Sequence, residues 1–523
     1  MASSSEPVDG RPVAARLALT ALCAVLFLTF LDNTIVSVAL ADMQKSLLAG
    51  VSSLQWIVDG YMLAFAGLLL VGGTLGDLLG RKKVMLSGVV LFCGGSLLGA
   101  LAHGTTTLIA GRVVMGVGAA ACEPGTLSLI RQIYREERSR ARALGVWTSV
   151  SGVSLAAGPV LGGLLVAAWG WRGVFWFNLG FGLVALAVAA WALPESSDPQ
   201  GRSLDLPGLV AGVVAVTALT FAVIEGENAG FSTPWIDGLF VLAAAATVAF
   251  VVIERRARDP VLPLAYFRIP AYSTANAVAF ATSFGLFAVF FFTALYLQVD
   301  AKYTGGRIAE EFAAMAVAMV AAGWVSGRWT SARGPRWPMT IGCLLSAGGI
   351  VLVDRILAVN VSKLELAAAL ALVGFGLGLT LVAVTSAVLT IAPPERSGMA
   401  ASTVNTSREL GGVLAVAILG AVINGRLVNE LNGKLGALGV TADLQKLVVH
   451  AVTHGGLPAD ATLAILTNPV VAANPGVIPK ILDAAETAFG HALHSGLLVA
   501  AAILFAAAVV SVVGTRTVAP AGV

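Results

Sequence analysis

An aspartate inside the first apolar stretch is the residue best placed to do chemistry. Asp32 lies in the run LTFLDNTIVSVAL (residues 28–40), which belongs to a segment otherwise apolar enough to cross a bilayer. Moving a carboxylate out of water is costly unless the group is paired or takes up a proton. An acidic residue at this depth therefore predicts a functional site that exchanges a proton or a cation with its surroundings.

An arginine in a later apolar stretch is expected to lie at the same depth in the membrane as Asp32. At about 1.5 Å per helical residue, Asp32 lies roughly 24 Å from the start of its segment, and Arg112, counted from the opposite side, reaches a similar level. We expect the two to share the outer-to-middle cavity, where Arg112 favours the ionised carboxylate and a proton or cationic substrate competes for it. A fixed structural ion pair is the alternative.

A second set of charges lies deeper along the chain. The same counting puts Glu123 in the inner half of its segment, near the level of Arg408 and Glu409. We predict that Glu123 and Arg408 pair across two halves of the protein when the cytoplasmic side closes. Glu123 could instead line the cavity and accept the proton itself. Asp59 is expected near the outer rim, either solvated or in contact with substrate, and Asn405 is a further candidate for the substrate cavity.

The composition is that of an integral membrane protein. The chain of 523 residues is 57% hydrophobic and only 12% charged, with a mean hydropathy of +0.88, whereas soluble domains are about 25% charged. Its 59 glycines suit closely packed transmembrane helices. The net charge of +3 includes no basic run that suggests nucleic acid. Four cysteines without metal or disulfide spacing are expected to be small core residues.

Hydropathy predicts an all-α protein with about fourteen membrane spans of roughly 20 residues or more. The predicted spans are 16–41, 54–75, 84–102, 106–131, 143–168, 173–193, 206–225, 235–253, 270–298, 309–328, 338–357, 365–391, 399–424 and 487–513. An even number puts both termini on one side of the membrane. Lys and Arg are concentrated in the loops of that side, so both termini are expected to be cytoplasmic.

The remaining segments are short apart from one. Residues 1–15 and 514–523 are predicted cytoplasmic tails, and 254–268 is a cytoplasmic linker. Residues 425–486 form the only long segment without a span, which we expect to be an extracellular loop carrying a small helical cap. The two histidines of the last helix, His491 and His494, have the spacing of a metal pair, but two ligands at the outer end of a helix are more typical of solvated side chains.

The loop after the second span has the most specific pattern, GGTLGDLLGRKKVML (residues 72–86). Its basic residues alone could be a topology anchor, but that interpretation leaves the spaced glycines and aspartate unexplained. The pattern resembles the G-x-L-x-D-x-x-G-R-K loop of the major facilitator superfamily, in which the aspartate and arginine belong to a charge relay that latches the cytoplasmic side. The resemblance implies a cytoplasmic gate made of Gly73, Asp77, Gly80 and Arg81.

Further motifs follow in the order expected for that family. LIAGRVVMGVGAA (108–120) is similar to the fourth-helix pattern that carries Arg112, and SVSGVSLAAGPVLGGLL (149–165) resembles the G-P-x-x-G-G motif of antiporters, which export. The candidate antiporter residues are Gly158, Pro159, Gly162 and Gly163. Pro159 removes a helical hydrogen bond, and the glycines admit a facing helix.

The branch is indicated by five shorter segments, LDNTIVSVAL, WRGVFWFN, LDLPG, LPLAYF and NTSRELGG. Together they resemble the fourteen-helix drug/proton antiporters, which implies the major facilitator fold. An N-terminal six-helix bundle (16–193), two linking helices (206–253) and a C-terminal six-helix bundle (269–513) are expected. The second half departs from the family pattern, because Ser331 replaces a motif aspartate and Glu310 and Glu311 begin a normally apolar span.

The resemblance implies a proton-coupled exporter of small hydrophobic compounds, cationic ones among them, in the bacterial cell (inner) membrane, working by alternating access and usually as a monomer. Its partners are then the substrate, protons and membrane lipid. No cofactor is expected, because the proton gradient supplies the energy and no G-x-x-x-x-G-K-[ST] nucleotide loop is present. Neither G-x-S-x-G nor H-E-x-x-H occurs, so the chain is not expected to be an enzyme. Export of one endogenous metabolite or lipid is the alternative, followed by a transport-inactive sensor.

Overall fold

The computed structural model describes residues 12–134, 136–195, 205–231, 233–257, 260, 264–299, 303, 305–359, 363–391, 397–438, 440–454 and 477–515. The helices in chain order are α1 (Pro12–Ile35), α2 (Leu40–Leu47), α3 (Val51–Leu79), α4 (Arg81–Ala100), α5 (Thr105–Ile133), α6 (Glu137–Trp169), α7 (Arg172–Ala192), α8 (Leu206–Ala229), α9 (Pro234–Arg256), α10 (Pro270–Phe287), α11 (Ala294–Val299), α12 (Gly305–Arg333), α13 (Arg336–Val359), α14 (Lys363–Ile391), α15 (Ser397–Ala437), α16 (Ala442–His454) and α17 (Val477–Gly514). The described residues contain no strand.

Long apolar segments of the chain form these helices, because a chain in lipid must satisfy its backbone hydrogen bonds within each segment. Within the described part of the chain, 13 helical stretches are long and apolar enough to span a membrane. The predicted span 54–75 falls in α3, which has a shorter apolar helical stretch at Ser53–Leu69. The prediction of an all-helical protein with roughly fourteen spans is confirmed.

Glycines bring helices of the first half into backbone contact. A Cβ at Gly95 would lie 2.6 Å from the carbonyl oxygen of Gly111, and one at Gly88 would lie 2.6 Å from that of Gly118. Both pairs join α4 to α5, which also packs against α3. These glycines therefore lie at contacts between helices, as expected for closely packed membrane helices.

The second half repeats this arrangement. Here α14 packs against α12 and α13, and a Cβ at Gly342 of α13 would lie 2.6 Å from the carbonyl oxygen of Gly376. Helices α10, α15 and α17 complete the half. The correspondence of α3, α4 and α5 with α12, α13 and α14 indicates two structurally related bundles.

The helices that cross the membrane between the start of α1 and the end of α17 are about fourteen, an even number, so these two helix ends lie at one face of the molecule, called here the termini face. In the first half, the hydroxyl of Tyr134, just after α5, donates to the carbonyl of Ala15 near the start of α1 at 2.8 Å. In the second half, Gly514 at the end of α17 packs against Thr274 at the start of α10. The opposite side of the bundle is called the far face.

Two seams join the halves, one between α6 and α12 and the other between α3 and α15. The far face has a further contact, where a 3-10 turn (Val36–Ala39) interrupts the first membrane helix and a π-helical turn (Ala288–Thr293) interrupts its counterpart α10. These two breaks face each other across the halves. Departures from α geometry of this kind often occur at functional sites.

The linking helices α8 and α9 pack as a hairpin on one seam. Helix α8 contacts both α3 and α15. The indole Nε1 of Trp56 in α3 donates to Oε1 of Glu225 in α8 at 2.9 Å, and Trp56 also lies against Phe221 with ring centroids 5.2 Å apart. The α3–α15 seam is therefore covered by a helix of the chain itself.

Helices reach into the segment predicted as an extracellular loop. The predicted span 399–424 continues as α15 to Ala437, and α17 begins at Val477, ahead of the predicted start at 487. Helix α16 adds a short element that touches α15 and α3. Hydropathy marks only the apolar part of such helices, so their polar ends were not recognised as helical.

Candidate functional site

Asp32 is held by two other helices of the first half. Its Oδ2 pairs with Nη1 of Arg112 in α5, and its Oδ1 accepts from Nδ2 of Asn178 in α7 at 2.6 Å. The side chains of Asp32 and Arg112 are both 0% exposed. The contact predicted from helix depth is therefore present, but it is sealed in this structure and does not face an open cavity.

Arg112 is oriented by further contacts with α3. Its Nε donates to the carbonyl of Ile57 at 2.8 Å, and its guanidinium carbon lies 4.4 Å from the centre of the Tyr61 ring. The Tyr61 hydroxyl in turn donates to the carbonyl of Thr29 in α1 at 2.9 Å. Asp32, Arg112, Asn178 and Tyr61 are called here the first-half cluster. A cation over an aromatic face and a paired carboxylate together offset the cost of burying the guanidinium.

The antiporter-type glycines of α6 lie directly beside this cluster. A Cβ on Gly158 would overlap the hydroxyl of Thr34, and one on Gly162 would lie 2.5 Å from the carbonyl oxygen of Ile35. The Thr34 hydroxyl donates to the carbonyl of Leu155 at 2.9 Å. The close approach therefore occurs where α1 ends, two residues after Asp32. Pro159 lies inside the same helix, and Gly163 is buried.

A second polar group spans the interface of the two halves. Nδ2 of Asn405 in α15 donates to Oε1 of Glu123 in α5 at 2.5 Å, and Nδ2 of Asn33 in α1 donates to Oε1 of Glu409 at 3.3 Å. Glu123 is 2% exposed and Glu409 is 6% exposed. These four residues and Arg408 are called here the inter-half cluster.

The predicted direct pair of Glu123 and Arg408 is not the contact made in this structure. Arg408 Nη1 lies 3.4 Å from Oδ1 of Asn405, and its Nη2 donates to the hydroxyl of Thr385 at 2.8 Å and to the carbonyl of Leu381 at 3.0 Å. Asn405 thus bridges the carboxylate and the guanidinium. Counting residues gives depth along a helix but not the direction of each side chain, so the bridging amide was missed.

The buried charges do not balance. The two clusters hold three carboxylates, Asp32, Glu123 and Glu409, against the two guanidinium groups of Arg112 and Arg408. Among the described residues, Oε2 of Glu123, Oε2 of Glu409 and Oδ1 of Asn33 have no hydrogen-bond partner. Buried carboxylates without compensation favour uptake of a proton or of a cation. The inter-half cluster is therefore the place where a positive charge would be stabilised.

Asp59 is a correction to the sequence interpretation. The solvated alternative is wrong, because the side chain is 0% exposed, and in the described part of the chain neither carboxylate oxygen has a hydrogen-bond partner. Asp59 follows Gln55 by one helical turn, and Gln55 Nε2 reaches the carbonyl of Val416 in α15 at 3.5 Å. Helix α15 therefore packs against this end of α3. Asp59 is thus a second unbalanced acid, placed on the α3 face that contacts α15.

The loop between α3 and α4 lies at the termini face. A Cβ on Gly73 would lie 3.4 Å from Pro124, next to Glu123, and Gly80 has a φ of +110°, which favours glycine. Arg81 begins α4. The side chain of Asp77 lies outside the described residues, so the predicted relay between Asp77 and Arg81 stays a prediction.

Both histidines of α17 keep solvent-exposed side chains, 65% exposed for His491 and 43% for His494, as predicted, and each also has an acidic neighbour. His491 Nδ1 lies 2.5 Å from Oε1 of Glu430 in α15, and His494 Nδ1 lies 2.7 Å from both carboxylate oxygens of Asp354 in α13. The early start of α17 places both histidines inside the helix, beside these neighbours. No group of three or more metal-binding side chains occurs in the described part of the chain.

The fold and the sequence identify the family. The family model described as Major Facilitator Superfamily matches residues 22–416. The chain belongs to the major facilitator superfamily. The family resemblance found in the motifs is thereby confirmed, as is the conclusion that the protein is a multi-pass membrane transporter and not an enzyme.

Several curated relatives are resistance proteins of similar length. The chain is 36% identical over 403 residues to the "Multidrug resistance protein Stp" of Mycobacterium tuberculosis, covering 76% of this chain and 74% of that protein. It is 34% identical over 419 residues to the "Methylenomycin A resistance protein" of Streptomyces coelicolor, covering 80% and 88%. It is 33% identical over 411 residues to the "Puromycin resistance protein pur8" of Streptomyces alboniger, covering 78% and 81%.

Solved structures support the fold. A bacterial homologue of the human lysosomal transporter Spinster, solved in an inward-facing and unoccupied conformation, superimposes with a TM-score of 0.62 at 16% identity. The match covers 96% of this chain and 98% of that one. Identity this low supports the shared architecture alone.

Three residues of the clusters, Asn178, Asn33 and Tyr61, were not singled out from the sequence. Asn178 and Asn33 make hydrogen bonds to Asp32 and Glu409. These two asparagines lie in segments that carried the branch resemblance, WRGVFWFN and LDNTIVSVAL. The feature of the sequence that could have revealed them is a side-chain amide within an apolar run, because a buried amide must find a hydrogen-bond partner. An asparagine carries no charge, so it stands out less than Asp32 in a hydropathy profile.

Proposed function

We propose that this transporter exports small hydrophobic cations in exchange for protons. The supporting observation is the excess of buried carboxylates over guanidinium groups at the middle of the molecule. One proton or one substrate cation restores the balance of the two clusters, and both compete for the same oxygens. The names of the relatives, which describe multidrug and antibiotic resistance, agree with such a substrate class.

The two clusters have different roles in the proposal. The inter-half cluster contacts the substrate, because its unpartnered oxygens lie between the halves that must separate. The first-half cluster is a second titrating site, connected through neighbouring residues of α1, because Asp32 belongs to one cluster and Asn33 to the other. Loading of one carboxylate with a proton therefore alters the electrostatic environment of the next.

Alternating access follows from the two seams. The halves rock about the α6–α12 and α3–α15 contacts, with the breaks in α1 and α10 closing the far face and the α3–α4 loop latching the termini face. The termini face is cytoplasmic in this proposal, because it carries most of the Lys and Arg of the loops. The transporter works as a monomer in the cell membrane and uses the proton gradient without a cofactor.

Transport by purified protein in liposomes tests the proposal. With an acidic lumen, ethidium added outside should accumulate up to about tenfold per unit of pH difference if one proton exchanges for one cation. Collapse of the gradient with nigericin should abolish the accumulation. Glu409→Gln and Glu123→Gln should each abolish it as well, because an amide cannot exchange a proton at neutral pH.

Glu310→Gln is the matched control for these variants. Glu310 is an exposed carboxylate of α12 that pairs with Lys363 at 3.3 Å and should not affect transport. Ethidium accumulation that is insensitive to the pH gradient would contradict proton exchange. Movement of a neutral antibiotic or of a fluorescent lipid, with no movement of ethidium, would contradict the proposed cation selectivity and favour the dedicated metabolite or lipid exporter.

A further inference from the structure

The start of α4 carries an electrostatic cost. Arg81, Lys82 and Lys83 are the first three residues of the helix, whose N-terminus already has a partial positive charge. The residue before them, Gly80, has no side chain with which to cap the free N–H groups of the first turn. An acidic group supplied from elsewhere would stabilise this end.

Glu195 supplies that group. It lies three residues after the end of α7 and its Oε1 accepts a hydrogen bond from the backbone N–H of Lys82 at 3.2 Å. A side-chain oxygen that accepts from the first turn of a helix is the usual form of an N-cap, and here it comes from a residue more than a hundred positions away. The carboxylate also lies at the positive end of the helix.

Gly80 and Glu195 fit each other sterically. A Cβ on Gly80 would lie 2.7 Å from Oε1 and 3.0 Å from Cδ of Glu195. The glycine is therefore required twice, once by its φ of +110° and once by the approach of the carboxylate. Glu195, a residue outside the gate motif, therefore explains in part why position 80 of that motif must be glycine.

We propose that Glu195 is a positioning residue of the cytoplasmic gate, holding the α3–α4 loop in place by capping α4. The proposal rests on the gating role given to this loop under the proposed function. Glu195 also lies where the chain leaves α7 for the linking helix α8. The cap therefore joins the gate loop to the end of the first half, and a weaker cap leaves the loop free to leave its closed position.

Two measurements on the full-length protein in nanodiscs test the cap. Amide hydrogen exchange of the peptide containing Lys82 should be about fivefold faster in Glu195→Ala, the factor expected for loss of one N-cap. In liposomes, kcat for ethidium exchange should fall by about the same factor while KM stays unchanged, because neither cluster includes Glu195. Glu195→Gln keeps an acceptor oxygen and should restore part of both effects.

Glu136→Ala is the matched control. Glu136 is an exposed carboxylate of the same face, and its Oε2 accepts only from the neighbouring Ser139 hydroxyl at 2.6 Å among the contacts in the described structure. Exchange and kcat should stay at the wild-type values. An equal effect of Glu136→Ala, or wild-type exchange and kcat in Glu195→Ala, would overturn the cap.

A double variant makes the test specific. Gly80→Ala should loosen the loop in the wild-type background because the new methyl group displaces Glu195. In Glu195→Ala the same change should have a smaller effect, since only the backbone strain remains, whereas additive effects would contradict the contact. Failure of the proposed function would be seen separately, as wild-type protein that does not exchange ethidium but still shows the difference in amide exchange.

Discussion

At the scale of single residues, the molecule brings together charges that an apolar environment normally excludes. Asp32 is satisfied on both oxygens by Arg112 and Asn178, whereas Glu123 and Glu409 each keep an oxygen without a partner. A satisfied carboxylate is stabilised as an anion, and an unsatisfied one is stabilised by a proton. The three acids are therefore suited to different steps of the transport cycle.

A measurement of the protons released when substrate binds distinguishes the roles of the three acids. In detergent solution with weak buffering, addition of ethidium to the wild-type protein should release protons, and Asp32→Asn should reduce that release because it removes one titrating group and leaves Arg112 without its counter-charge. Breaking a buried pair in this way should also cost about 3–5 kcal/mol of stability, measurable as a lower Tm. Unchanged proton release in Asp32→Asn would contradict a coupling role and leave a fixed structural pair.

Much of this site follows from the sequence, because helix depth is a simple function of residue number. In this way the sequence predicts that Asp32 lies at the same depth as Arg112, and that Glu123 lies at the same depth as Arg408. The direction of a side chain around its helix depends on packing, and so the roles of Asn405, Asn178 and Asn33 were not. The complete burial of Asp59 was not predicted for a related reason, since it depends on how α3 packs against α15.

At the scale of elements, the contact between α1 and α6 lies where the first membrane helix breaks. Gly158 and Gly162 press against Thr34 and Ile35, and the 3-10 turn begins at Val36. The motif associated with exporters therefore supports the backbone immediately after Asp32. Glycine spacing predicted a close helix contact, but the partner helix was visible only in the structure.

Gly158→Ala tests this contact with a control in the same helix. The added methyl group should overlap Thr34, separate α1 from α6, lower stability by about 1–3 kcal/mol and reduce ethidium exchange. Gly152→Ala, at a position of α6 with nothing within 4 Å, should leave exchange unchanged and raise stability by up to about 1 kcal/mol through helix propensity. Tm measurements and liposome exchange distinguish the two. Equal behaviour of both variants would contradict a special role of the contact.

At the scale of the whole molecule, transport requires the halves to move against each other. Gln55 of α3 reaches the backbone of α15 and packs against Gly420, so the far end of this seam is closed in the structure. Locking that contact should hold the far face shut. The expected result is a protein that binds substrate from the termini face but does not turn over.

A short bifunctional maleimide tests this expectation. Gln55→Cys with Gly420→Cys, in a background without the four native cysteines, should lose ethidium exchange on cross-linking and regain it when a cleavable linker is cut. The control pair is Thr340→Cys with Ser511→Cys, whose native hydroxyl oxygens lie 3.1 Å apart within the second half. Cross-linking there should leave exchange intact. Full exchange in the 55–420 cross-linked protein would show that transport does not require this seam to open.

The position of α8 also affects the order in which the chain assembles during synthesis. Helix α8 packs on α3, which is made before it, and on α15, which emerges only after α9 to α14. Lipid gives apolar helices little reason to associate, so a nascent hairpin needs specific contacts to stay in place. The Trp56–Glu225 hydrogen bond provides one as soon as α8 is inserted. The first half and the linking helices can thus form one unit at the ribosome, leaving the α15-facing side of α8 as a docking surface for the half that is made last.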